Sequence, residues 1–181
     1  VEWFPDSFTL CPEAQSLVPR VQLYPELQHT VGARIVCIES QIELKLRGDP
    51  AWAFIGMPQL QGAHRHLVSF LIAGFCTPVL NGEEPEFLVL VDAVAWRFLD
   101  GRRKEWLIYH ELKHLVIAVN GGGDPLQHED GRWKLRTTRH DHEVFADEIT
   151  RYGSDVEGLD KLAEAIVQGH ANEKAREKRR A

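Results

Sequence analysis

The sequence contains only three cysteines, Cys11, Cys37 and Cys76, and no two of them stand in CxxC spacing. That scarcity argues against a disulfide framework and against a cysteine-ligated zinc site, and buried free thiols are expected instead. No apolar run reaches the ~18 to 20 residues that a membrane span requires, and no basic stretch followed by an apolar one opens the chain. A cytoplasmic protein with no membrane partner is the expectation. Positive charge is also scarce. The formal net charge of -6 disfavours broad attraction to nucleic acid, because phosphate binding is dominated by Lys and Arg. Only the tail departs from this: Lys174, Arg176, Lys178, Arg179 and Arg180 outnumber Glu173 and Glu177. It reads as a solvated helix end, with at most a weak nucleic-acid contact. Internal repeats and low-complexity tracts are absent as well.

The 181 residues are 44% hydrophobic and 27% charged, an ordinary globular composition and enough for one sizeable core. Pro5, Pro12, Pro19 and Pro25 mark residues 1–31 as an irregular, proline-rich N-terminal arm. Ile35, Val36 and Ile38 form a β-prone run, and Ile42, Leu44 and Leu46 continue in alternation, so two short strands or one with a bulge are expected. A further strand fits 51–57, while 66–75 has no clear period. The run Phe87-Leu88-Val89-Leu90-Val91 has the character of a buried strand. Asp100 and Gly101 then supply a cap for a long helix over 102–120, which Gly121, Gly122 and Gly123 would terminate. The polar stretch 124–138 reads as a small hairpin turning at Asp130-Gly131. A second helix is expected over 141–152 with Gly153 as its C-cap, and a final one over 158–170.

Chemistry concentrates in Tyr109-His110-Glu111-Leu112-Lys113-His114, an HExxH motif. On a helix, residues four apart share a face, so His110 and His114 can take two positions on one zinc ion. Glu111 lies beside that face, where it can act as general base toward water activated by the metal. Ile108, Leu112, Leu115 and Val119 recur at three- and four-residue intervals and would bury the opposite side. Five of the nine histidines, His110, His114, His128, His140 and His142, lie within 110–142, a clustering that favours a metal.

A catalytic zinc needs a third protein ligand. The metzincin extension would require Gly at 117 and His at 120, where Ile117 and Asn120 stand, so that subclass is excluded. Thr138-Arg139-His140-Asp141-His142-Glu143-Val144-Phe145 is the best remaining source. His140 is the first choice, with His142 and Glu143 as alternatives for the ligand or for the shell around it. His128, in a turn-rich segment, reads as a surface histidine. His64 and His66 read as part of a surface strand or loop, and Trp96 and Trp106 as core or groove residues.

Taken together, the strand at 87–91, the segment 109–115, His140-Asp141-His142-Glu143-Val144-Phe145 and the closing Arg151-Tyr152-Gly153 resemble the phage metallopeptidase family, a group similar to SprT-like zincins. The resemblance covers about 32–153. It implies an α+β, zincin-like fold: a small mixed or antiparallel sheet packed on a long HExxH active-site helix, with a second ligand-bearing helix. The corresponding division is an arm at 1–31, a metallopeptidase domain at 32–153, and a C-terminal helix with basic tail at 154–181. In SprT-like proteins a histidine three residues before a Glu-Phe pair is the third ligand; here its counterpart is His140, although Val144 separates Glu143 from Phe145. The CxxC ribbon of many SprT-like proteins is absent, so a DNA-directed role is not implied. The function implied by the resemblance is that of a zinc metallopeptidase acting on peptide or protein substrates, in the host cytoplasm if phage-encoded. The alternatives are a non-catalytic zincin-like protein that binds a host protein by occupancy, and a hydrolase of non-peptide amides.

Overall fold

The structure, a computed structural model, describes residues 7–46, 49–58, 76, 79–138 and 151–153. The chain divides into two compact units, Val1–Arg139 and His140–Ala181. In the second, the described residues are helical at 151 and 152, and Gly153 has φ 59°, the left-handed geometry of a C-cap.

The first unit is of mixed α and β composition. Its described elements are β1 (Phe8–Leu10), α1 (Pro12–Val21), a 3-10 helix (Pro25–Thr30), β2 (Ile35–Ser40), β3 (Lys45–Leu46), β4 (Asp49–Pro50), β5 (Ala53–Gly56), β6 (Phe87–Asp92), α2 (Ala93–Phe98), α3 (Gly101–Lys113), β7 (Leu115–Ile117) and β8 (Leu135–Thr137). Among the described residues four strands form one sheet in the order β1-β2-β6-β5, with β2 and β6 parallel and β1 and β5 antiparallel to their neighbours. Of the two sheet types expected, mixed or antiparallel, the mixed one is observed. The strand expectations at 35–38, 51–57 and 87–91 correspond to β2, β5 and β6. Ile35, Val36, Cys37 and Ile38 are all buried in succession, as suits a central strand covered on both faces.

Residues 8–31 are not an irregular arm. β1 adds to the edge of β2, and α1 packs between β2 and α3. Pro12 occupies the first turn of α1, where its missing N–H is no loss, while Pro19 lies inside the helix in its last turn, where it forfeits one helical bond without ending α1. Beyond β1, the Gln15 side chain takes over the edge of β2: its Nε2 donates to Ile35 O at 3.0 Å and its Oε1 accepts from Cys37 N at 2.9 Å. Glu13 links α1 to α2 and α3, accepting from Trp96 Nε1 at 2.9 Å and Lys104 Nζ at 2.8 Å. The bonded Lys104 ammonium holds the Glu13 carboxyl below its ordinary range. The three thiols are free and buried, and burial pushes each pKa up, so they are poor nucleophiles.

α3 begins as its sequence specifies. Asp100 Oδ1 accepts from Arg102 N at 3.0 Å and Arg103 N at 2.9 Å, satisfying two amides that have no partner within the helix. Asp100→Ala is expected to cost about 0.5 to 2 kcal/mol of stability, read by urea denaturation, because the cap bonds to Arg102 N and Arg103 N are lost. The end of α3 differs from expectation. The helix stops at Lys113 with His114 as C-cap, and the chain turns directly into β7 instead of continuing to Asn120. Val116 and Ile117 are β-branched and find strand partners in Arg136 and Leu135. As a result Ile108, Leu112 and Leu115 are fully buried as expected, while Val119 is 49% exposed.

The hairpin expected at 124–138 is present, turning at Gly131 (φ 83°) with a bridge from Gln127 to Trp133, and a second turn at Gly123 (φ 89°), where a helix stop was expected, joins Val119 to Pro125. The Asp130-Gly131 turn is tied to the start of the sheet by Glu86, which accepts from Arg132 Nη1 at 3.0 Å and from Arg34 N at 2.9 Å. Arg132 Nη1 also donates to Gly32 O at 2.8 Å. A Cβ on Gly32 would stand 2.9 Å from Arg132 Cδ, and its φ of 83° independently favours glycine.

Candidate metal centre

α3 delivers the motif residues from its final turn. His110 and Glu111 are buried, at 9% and 4% exposure, and His114 retains helical dihedrals (φ -69°, ψ -11°) although it caps the helix. The side-chain spacing of an uninterrupted helix is therefore kept to the last motif residue. The two imidazoles stand with ring centroids 5.1 Å apart and planes at 80°. Glu111 follows His110 by about 100° around the helix, flanking the pair.

Two residues outside the motif fix the rings. Trp106, one turn before His110, lies with its ring centroid 5.7 Å from that imidazole and is itself buried. Thr138, just past β8, holds His114 twice: its N–H donates to His114 O at 2.7 Å, and its carbonyl accepts from His114 Nδ1 at 2.9 Å. A carbonyl can only accept, so the proton is on Nδ1 and, in the neutral ring, the lone pair is on Nε2. Such a bond on the outer ring nitrogen is what orients a metal-binding histidine. The sequence marks Trp106 only as a core or groove residue, although its spacing from His110 is helical. Thr138 carries no local signal, because its role comes from strand pairing 24 residues away from His114.

His128 is the surface histidine that its turn-rich segment led one to expect, 3.5 Å from Glu86 and 35% exposed. His64, His66, His140, His142 and Glu143 lie outside the described residues. Among the described residues, no group of three His, Cys, Asp or Glu side chains could hold a metal ion. Two nitrogen donors on one face, one with its tautomer set, nevertheless suit a borderline metal completed by a further ligand.

A family model described as "Putative phage metallopeptidase" matches residues 1–167. The chain belongs to that family. Membership extends beyond the 32–153 of the sequence resemblance and takes in β1 and α1, which the fold shows to be part of the same unit. No curated protein and no solved structure matches the chain. For this phage-family chain, membership implies a metal cofactor and protein or peptide substrates. No helix among the described residues is long and apolar enough to cross a membrane.

Proposed function

We propose that the protein is a zinc-dependent, zincin-like metallopeptidase with Glu111 as its general base. The observation that carries this reading is the buried His110-Glu111 pair beside His114, with the His114 tautomer set by Thr138. His110 and His114 would hold the zinc with His140, which is proposed on the sequence pattern alone. His142 and Glu143 are the alternatives for that third position. A zinc ion there supplies Lewis-acid polarisation of the scissile carbonyl and lowers the pKa of a water toward ~7.

The chain's own groups do the rest. Glu111 takes a proton from the attacking water and passes it to the departing amine. Trp106 walls one side of His110, and Thr138 keeps the His114 ring from rotating. Among the described residues β5 is the outer strand of the sheet opposite β1, packed near α3, and its edge is the place where an extended peptide would add as a strand. In this reading the catalytic residues lie within 32–153, residues 1–31 buttress them, and the tail at 154–181 is accessory. A non-catalytic binding protein in the host cytoplasm would have no need of a buried carboxylate at 111.

The test is incubation of zinc-loaded protein with a peptide library, followed by mass spectrometry of the products. Cleavage that stops on chelation and returns with zinc supports a peptidase. Intact peptides from a protein with zinc bound would reject it in favour of the binding reading or of a non-peptide amide substrate.

A further inference from the structure

The 3-10 helix runs along the side of α3 that faces away from the motif histidines. Tyr109 Oη donates to Glu26 Oε1 at 2.7 Å, the Tyr24 hydroxyl donates to Glu105, and the Tyr24 and Tyr109 rings meet edge to face. One contact of this segment reaches the metal-binding end. His29 Nε2 lies 2.6 Å from the carbonyl oxygen of Leu115, the residue immediately after His114. Since a carbonyl only accepts, His29 is the donor.

Strand register explains why that carbonyl needs it. The bonds from Thr138 N to His114 O and from Ala118 N to Lys134 O make 114/138 and 118/134 the hydrogen-bonded positions of the hairpin. Leu115, paired with Thr137, therefore turns its main-chain groups away from β8. Leu115 is fully buried, and a buried carbonyl without a donor is costly. The end of α3 is thus held from two sides, by Thr138 on the His114 ring and carbonyl and by His29 on the next peptide.

We propose that His29 is a positioning residue for the metal centre: by holding the Leu115 carbonyl it fixes the main chain that carries His114. The inference rests on the zinc reading above. The tyrosine contacts tether the 3-10 helix on their own, so loss of the His29 bond releases the helix end and not the whole brace.

The experiment measures zinc affinity of the full-length protein by competition with a chromophoric chelator, together with the visible spectrum of the cobalt(II) form and the Tm of the metal-free form. His29→Leu removes the donor at similar size; His29→Gln keeps an N–H. The expected result is about a tenfold fall in zinc affinity and a changed cobalt band for His29→Leu, with most of both recovered in His29→Gln, and metal-free Tm values that do not follow this order. Zinc affinity in His29→Leu equal to wild type, or an equal loss in both variants, would overturn the inference while leaving the zinc reading intact. A wild-type protein that binds no zinc would overturn both.

Discussion

Glu111→Gln is expected to lower peptide hydrolysis by about 10²- to 10⁴-fold while leaving the metal content and the fold unchanged. Glutamine has the shape of glutamate but cannot take up a proton near neutral pH, so the substitution removes the proton acceptor and little else. The loss corresponds to about 3 to 5 kcal/mol of transition-state stabilisation. Because Glu111 is only 4% exposed, an isosteric replacement is the right probe; alanine would add a packing defect to the chemical one. The rate is to be measured on a cleaved library peptide, with zinc content and Tm determined on the same preparation. Activity within a few-fold of wild type would remove Glu111 from the mechanism.

The second large effect concerns the opposite side of α3. Leu112→Ala is expected to destabilise the protein by about 2 to 5 kcal/mol in urea denaturation, because Leu112 is fully buried beside Ile108 and Leu115 and the cavity can close only in part. Val119→Ala is the internal control. If α3 continued to Asn120 with Val119 on the buried face, that change would also cost more than about 1 kcal/mol. With the helix ending at Lys113 and Val119 half exposed in the hairpin, the expected cost is within about 0.5 kcal/mol. Equal losses in the two variants would contradict the observed helix end.

The contrast between Leu112 and Val119 shows what the sequence could and could not convey. The HExxH spacing, the Asp100 cap and the buried faces of β2 and β6 are local patterns, and each is legible because the residues that define it are neighbours along the chain. The helix end is not. Val119 continues the three-to-four spacing set by Ile108, Leu112 and Leu115, and only pairing with Leu135–Thr137, far along the chain, diverts 115–117 into a strand. The N-terminal prolines mislead for a related reason: Pro12 sits in the first turn, where proline is no loss, and the packing of α1 on α3 outweighs the bond that Pro19 forfeits in the last turn. Within the site, His110, Glu111 and His114 can be named from the motif. Thr138 reaches it through its own backbone groups and His29 through a bond to the backbone of Leu115, 86 residues along the chain, so neither leaves a local signature.

The most direct test of the zinc centre is metal content by mass spectrometry, in wild type and in the His110→Ala, His114→Ala and His140→Ala variants. The zinc reading predicts about one zinc per chain in wild type and loss or strong reduction in each variant. Absence of zinc from wild type, even after reconstitution, would contradict it and reduce the motif to two neighbouring histidine rings at the end of α3.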